Sequence, residues 1–596
     1  MRDRFLPLGL LFLLQFPAIT SAQRVSYVNA AAHGGSDGTS WTDAYRDLQD
    51  ALDDARNSAG CPCEIWIAAG TYKPDRGTGD QRLAFELFGS IALYGGFGGW
   101  EECRDQRDPG VNITILSGDL GDDDDLLAQS LSDCCDLTPP FFECSDPECR
   151  ADVAAIEPEC AQAWGRSCRY RAIDVCCNVC RPTRCDNAFN VVRATQPGSA
   201  PVLDGLTIRD GEGFDSDPQQ SYGGGGGLVA MYGGPRVTGC RFLRNRPGAA
   251  FFRSPSGTLL LESTSFVDNG IESPPDYALT IWNPQRPPTL KQLSVTNNLG
   301  GGMLLHGFEA TITDSTFRDN GHIGLFCNSS DCTVVGSQFV GNGEGGVLAD
   351  ETVWIIDSLF LRNLDTALFT FYGAVVINSV FAGNTSSSTG GLSCGSAYVL
   401  NSVFYGNTDG AMAVAFGGAT IRNSIFWGNY DESGGFGQNA QFYTYLAAFT
   451  EVDHSIVHGW TGSWSGIGNS GSDPLFIDPL GPDGIVGTED DDLRLSPGSP
   501  AINAGDPNTL YLPPTDLDGH ARVLCGRVDI GAYEFGIGDY TCDQTIDLSD
   551  FANWSACMTG PLPGPVSPSC TAFDFNADQS IDLLDFAALQ PILAGQ

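Results

Sequence analysis

Lysine is almost missing from this chain: Lys73 and Lys291 are the only two in 596 residues. Acidic residues outnumber basic ones by 73 to 31, which gives a formal net charge of −42. A surface this negative repels nucleic acid, anionic membranes and polyanionic sugars, so none of these is an expected partner. It suits high salt or bound cations, although a GC-rich codon bias would remove lysine as well. Charged residues are scarce at 17%, and beyond the N-terminus no apolar run is long enough to span a bilayer. Glycine, by contrast, is abundant, with 74 residues beside an ordinary hydrophobic content of 42%. Many tight turns around a sizeable core favour a coil of short strands over helices.

Residues 1–22 read as an export signal. Arg2 and Arg4 precede the apolar stretch 5–16, and Thr20-Ser-Ala22 offers small residues for cleavage near Gln23. The expected setting is secreted, extracellular or cell-surface, with no transmembrane segment left after cleavage. Twenty-one cysteines in an exported chain imply disulfides, and the odd number leaves at least one unpaired or intermolecular.

Between residues 241 and 429 a large apolar residue recurs three positions before an asparagine. The pairs are Phe242/Asn245, Phe266/Asn269, Val295/Asn298, Phe317/Asn320, Phe339/Asn342, Phe360/Asn363, Phe381/Asn384, Phe404/Asn407 and Phe426/Asn429. Successive asparagines lie 24, 29, 22, 22, 21, 21, 23 and 22 residues apart. A β-branched stretch precedes each pair and Gly-rich turns follow. About 22 residues with two or three short strands make one coil of a parallel β-helix, whose coils stack at roughly 4.8 Å. The phenylalanines then stack inside and the asparagines form a ladder at a bend. A single coil cannot bury its apolar face, but a stack can. The predicted fold is an all-β, right-handed parallel β-helix over 23–535. Residues 41–58 place Trp41, Ala44, Tyr45, Leu48, Ala51, Leu52 and Ala55 on one helical face, a cap over the open end that blocks edge pairing.

Several stretches resemble bacterial extracellular proteins with a pectin-lyase-like β-helix. They are Tyr27-Val-Asn29, Gly38-Thr-Ser-Trp-Thr-Asp-Ala44, Ile67-Ala-Ala-Gly-Thr-Tyr72, Leu93-Tyr-Gly-Gly-Phe97, Leu116-Ser-Gly-Asp119 and Val202-Leu-Asp-Gly-Leu-Thr-Ile208. Towards the close of the coil, about 470–535, Ser499-Pro-Ala-Ile-Asn-Ala-Gly-Asp506, Asp516-Leu-Asp-Gly519 and Asp529-Ile-Gly-Ala-Tyr-Glu-Phe535 resemble the choice-of-anchor Q domain of the same proteins. The resemblance implies a fold and an extracellular setting, not one activity, because this fold hosts many functions.

The repeat is interrupted at 121–187. Cys134, Cys135, Cys144, Cys149, Cys160, Cys168, Cys176, Cys177, Cys180 and Cys185 crowd there, an even number that reads as a disulfide-stapled lobe protruding from one coil. Zinc at the Cys176-Cys177-x-x-Cys180 cluster is the alternative, with no histidine nearby to support it. The acidic run 122–125 reads as a solvated loop.

The last segment, 537–596, repeats with an offset of 35 residues. Asp574, Asn576, Asp578, Ser580, Asp582 and Asp585 fall at positions 1, 3, 5, 7, 9 and 12 of a loop, position 7 acting through its carbonyl. A hard cation such as calcium needs this spacing, because alternate residues of a turning loop converge on one point. Asp539, Thr541, Asp543, Thr545, Asp547 and Asp550 form the twin, weakened by threonine at position 3. The duplicated loop–helix pair resembles type I dockerin repeats, which implies calcium as cofactor and a cohesin-like protein as partner. Two departures stand out: Gln544 and Gln579 replace the usual glycine at position 6, and the partner-facing positions 10 and 11 are Leu548-Ser549 and Leu583-Leu584. Cys557 and Cys570 flank the Pro-rich link and suit a bond; Cys542 either pairs with Cys525 or stays free.

Lyases of this fold need an acidic calcium site beside a base, and hydrolases need two or three close aspartates. The one acid, base and cation grouping in the coils joins Asp268 and Asp319 with Arg318 and His322, although Asp before Asn is also a common turn residue. His454 and His458 read as packing or surface residues. Exposed aromatics such as Trp427, Trp460 and Trp464 could stack on sugars. A further acidic loop, 481–492, reads as a solvated turn or a cation loop. Two functions stay open: a non-catalytic calcium-binding surface protein for glycan, partner or envelope, and a polysaccharide lyase or glycoside hydrolase.

Overall fold

The computed structural model describes residues 24–57, 63–124, 147–156, 160, 184, 186–213, 225–270, 276–444, 450–561, 564, 566–567 and 569–594. The export segment and most of the cysteine-rich insertion therefore lie outside the described residues.

One coil shows how the whole is built. Leu325–Asn328, Cys332–Val335 and Gln338–Val340 are strands on three successive faces, separated by short corners. The next coil repeats them as Val347–Ala349, Val353–Ile356 and Leu359–Leu361, in parallel and in register, with Cys332 opposite Val353 and Phe339 opposite Phe360. The second-face strands alternate buried and half-buried side chains, so each sends every other residue inward. Arg24–Val28 starts the stack on Cys63–Ala68, and the third-face ladder runs in order to Ile456–Val457. The protein is a right-handed parallel β-helix.

Inside, the phenylalanines stack as the spacing predicts. Phe317, Phe339, Phe360, Phe381, Phe404 and Phe426 lie ring on ring at 4.5–4.9 Å and within 13° of parallel. Phe442 closes the column edge-on against Phe426 and stacks in turn on Trp464. The asparagines form a continuous buried ladder. Each Nδ2 donates to the Oδ1 of the next asparagine and to a backbone carbonyl of the previous coil, as Asn342 does to Asn363 and Phe317. Gln441 ends the ladder by accepting from Asn429 Nδ2 and donating to its carbonyl.

A second ladder escaped the sequence reading. At the corner between the second and third faces, Ser315, Ser337, Ser358, Ser379, Ser402, Ser424 and Ser455 each accept the backbone N–H of their counterpart one coil earlier, at 3.1–3.2 Å. The residue before most of these serines has positive φ and is Asp, Asn, Gly or His. The recurring Asp-Ser and Asn-Ser pairs, five residues before each ladder asparagine, were the available signal.

The expected cap is shorter than its apolar pattern. The helix covers Leu48–Asn57 and buries Leu48, Ala51, Leu52 and Ala55 in the main core. Trp41 precedes it and packs in an outer aromatic cluster with Tyr27 and Phe97. Asp43 turns the chain there by accepting from Gly35 N and Ser40 Oγ, so the helix begins later.

Residues 470–535 add no coil. They turn back along the flank and cover the outer side of the third face. Leu493, Leu495, Ala501, Ile502, Ile530 and Ala532 bury a second core against Val340, Leu361, Val380, Val403, Ile425 and Ile456. The aspartates of the quoted motifs serve as a clasp. Arg522, fully buried, pairs with Glu534 at 3.0 Å and with Asn378 of the coil. Asp529 accepts from Asn503 N and Phe535 N, and Asp516 from His520 N and Glu534 N. Asn401 and Asn423 reach out from the serine corner to the backbone of this strap.

Three disulfides are placed. Cys557–Cys570 and Cys525–Cys542 realise pairings considered from the sequence, and Cys327–Cys332 closes a short corner. Cys63, Cys149 and Cys160 are also disulfide-bonded; the other cysteines of the insertion lie outside the described residues. Cys103, Cys240 and Cys394 are free.

Candidate calcium loops and an aromatic groove

In each terminal loop the first and last aspartates grip the loop's own backbone. Asp539 accepts from Asp543 N and Gln544 N, while Asp550 accepts from Thr541 N and Asp547 N. The twin repeats this: Asp574 accepts from Asp578 N and Gln579 N, and Asp585 from Phe575 N and Asp582 N. Gln544 and Gln579 both adopt positive φ, +67° and +63°, so the position-6 turn survives without glycine. Thr545 N and Ser580 N donate to Asp543 and Asp578, and Asn576 Nδ2 lies 3.0 Å from Asp578 Oδ2.

Asp539, Asp550 and Asp585 are essentially inaccessible. Burial pushes the Asp539 and Asp574 carboxyls up, and the neighbouring Asp550 and Asp585 charges add to it. Hydrogen bonds from Ser549 and Ser580 hold Asp547 and Asp578 below the usual carboxylate range. From residue 528 to the end the chain has no Lys, Arg or His. Buried carboxylates need a partner charge, and here the sequence supplies none. His520 meets the Phe575 carbonyl of the second loop, but among the described residues no basic side chain pairs with the loop carboxylates, and such an all-oxygen donor set fits a hard divalent cation. The module's core is Trp554, Phe573, Ile581 and Leu589 around the Cys557–Cys570 bond. Leu548, Leu583 and Leu584, at positions 10 and 11, remain 66–74% exposed.

The acid–base grouping of the coils resolves into corner residues. Asp268 and Asp319 have φ of +54° and +51°, as does every counterpart in their column, which runs Arg244, Asp268, Asn297, Asp319, Gly341, Arg362, Gly383. The column is therefore a left-handed turn position that favours Asp, Asn and Gly. Asp319 leans over Gly341, where a Cβ would meet its Oδ1 at 2.4 Å. Arg318 pairs with Glu489 of the acidic loop, and His322 Nδ1 lies 3.0 Å from Glu344. Within that loop Asp483, Asp490 and Asp491 come together around Thr488 Oγ1.

The tryptophans singled out for sugar stacking are packed. Trp427 stacks on His458 at 4.2 Å, and Trp460 and Trp464 pack against the main core. His454 occupies the left-handed position of the serine corner. Other rings are more exposed. Phe371, Tyr372 and Phe416 are 55–62% exposed beside Tyr398. Tyr372, Tyr398 and Phe416, with Thr352, Gly373, Ala374, Val375, Ser396 and Ala397, line an open groove of about 420 Å³. Tyr511 of the strap meets Trp354 and Tyr398 edge-on, and Tyr398 Oη donates to Leu510 O. No titratable acid or base other than tyrosine lines this groove. The signal for it was three aromatics in four residues, Phe369 to Tyr372.

The fold and its ladders define the class, a right-handed parallel β-helix. Residues 222–360 match a family model described as the right handed beta helix region. Among solved structures the chain is similar to the crystal structure of pectate lyase Pel9A, at 12% identity over 86% of this chain and 97% of that one, with a TM-score of 0.27. At that score the likeness carries nothing about activity. No curated protein matches the chain. Among the described residues no helix is long and apolar enough to cross a membrane.

Proposed function

We propose that this protein is an exported, calcium-loaded β-helix that binds neutral saccharide without cleaving it and docks to a protein partner through its terminal module. The observation that carries the saccharide reading is the groove around Phe416. Exposed aromatic faces grouped with hydroxyls suit sugar rings, and exposed apolar clusters of this kind mark interaction sites. A net charge of −42 disfavours uronates, so the ligand class is an uncharged glycan. The calcium reading is supported by buried loop carboxylates that lack any basic partner. Exposed leucines beside those loops supply a docking patch, and a cohesin-like protein is the partner class.

The test is a panel of neutral and acidic polysaccharides offered to the full chain and to a Tyr372→Ala/Phe416→Ala variant. Retention of at least one neutral glycan, lowered tenfold or more in the variant, is expected. Equal binding by both, or preference for a uronate, would reject the groove. Release of new chain ends would replace the binder with a depolymerase.

A further inference from the structure

We propose a second kind of divalent-cation site, at the root of the cysteine-rich insertion and separate from the terminal loops, built from Asp119, Asp123 and Asp186, with buried Asn187 next to Asp186 in the chain, and filled by calcium. The insertion leaves the coil just after the third-face strand Thr114–Ser117 and returns before the first-face strand Val192–Ala194. Asp119 and Asp123 stand on the outgoing arm, Asp186 and Asn187 on the returning one. One carboxylate oxygen from each aspartate lies within 4.8 Å of the others. That span is what ligands on opposite sides of a calcium ion require at about 2.4 Å each.

Three observations beyond proximity point to a ligand. Asp123 Oδ1 and Asp186 Oδ1 are both shut off from solvent and accept no hydrogen bond. Asn187 is fully buried, and its Oδ1 also lacks a donor, while its Nδ2 donates to Asp124 at 2.8 Å. Gly121 leaves the space that these groups share: a Cβ there would sit 2.2 Å from Asp186 Oδ2 and 3.5 Å from Asp123 Oδ1. Orphaned buried acceptors cost free energy unless something donates to them or binds them. The one side-chain donor of the group, Asn187 Nδ2, is spent on Asp124, so the groups left unpartnered are all acceptors, which suits a cation.

The neighbouring basic groups are committed elsewhere. Lys73 pairs with Asp122, outside the trio, and with Leu120 O. Arg184 serves Asp124 and Glu212. Asp119 holds the arm in shape by accepting from Asp123 N and Asp124 N. The acidic run thus divides by position: Asp122 is a solvated, lysine-paired residue, and Asp123 faces the returning arm. An ion here ties the two ends of an insertion of more than sixty residues to one coil, a loop closure whose cost grows slowly with length.

The test is calcium stoichiometry on the full chain by equilibrium dialysis. Wild type should hold three ions. A variant disabled in both terminal loops (Asp539→Ala, Asp550→Ala, Asp574→Ala, Asp585→Ala) should keep one. Adding Asp119→Asn and Asp186→Asn should abolish that one, and calcium should protect the insertion from protease only while these aspartates are intact. A loop-disabled chain that binds no calcium, or an unchanged count after the asparagine exchanges, overturns the proposal. Failure of the terminal-loop reading looks different: disabling the loops would then change nothing.

Discussion

Replacing Asn342 by alanine in mid-ladder tests what holds the coils in register. Its side chain makes four hydrogen bonds. Oδ1 accepts from Asn320 N at 3.3 Å and from Asn320 Nδ2 at 2.9 Å, and Nδ2 donates to Phe317 O and to Asn363 Oδ1. Alanine leaves two donors on Asn320 without this acceptor in a place water does not reach, since Asn320 and Asn342 are both buried. At about 1–3 kcal/mol for each orphaned buried group, the expected cost is about 2–6 kcal/mol. Ser358→Ala is the internal comparison. It removes one acceptor, used by Ser337 N at 3.2 Å, and should cost about 1–3 kcal/mol. Denaturant midpoints from circular dichroism and tryptophan fluorescence read both, and the slope shows whether the stack still melts as one unit, which long repeats need not do. An Asn342→Ala cost no larger than that of Ser358→Ala would refute the ladder as the stronger tie.

Phe360→Ala, which opens the ring stack between Phe339 and Phe381, should cost about 3–5 kcal/mol in the same assay. Asp319→Gly should change stability by less than about 1 kcal/mol, because the position asks only for positive φ, and a large loss would give the carboxylate a role beyond the turn. Burial raises the Asp529 carboxyl to about 6. Its folded pKa then exceeds its unfolded one, so the folded state holds the proton more tightly. Stability should fall as pH rises from about 4 to about 6 and level off above, and thermal scans of Asp529→Asn should show a shallower fall over that window. Calcium at a hundred times its dissociation constant should add about 2.7 kcal/mol per site to the terminal module, seen as a melting shift that chelator reverses and that Asp574→Ala/Asp585→Ala removes from the second loop.

The coils were legible because each projects the same residue types inward at the same phase. Phe and Asn recur at about 22 residues in sequence and fall in columns with no exposure. The serine ladder was equally periodic, but serine is common in turns for several reasons and drew no notice. The strap was not legible, having no repeat of its own. Its trace was in the strands beneath. Outward positions on the third face read Ser294, Thr296, Thr316 and Arg318 in earlier coils, then Val340, Leu359, Leu361, Val403, Tyr405, Ile425 and Trp427. Polar-out alternation that turns apolar on both sides announces a covering layer. The terminal loops could be read from spacing alone because cation ligation fixes local positions. The groove depends on residues from four coils and the root cluster on two arms of an insertion, neither of which sequence distance reveals.

The strap also sets a length. It touches successive coils from Val340 to Ile456 and is tied to them at Asn378, Asn401 and Asn423. Gaining or losing a whole turn of the solenoid in that stretch would leave its fastenings out of step by one coil spacing, about 4.8 Å. Upstream, between Phe242 and Phe317, no such overlay covers the third face among the described residues. Natural variation in the number of turns should therefore collect in the upstream stretch, while the strapped half keeps a fixed count.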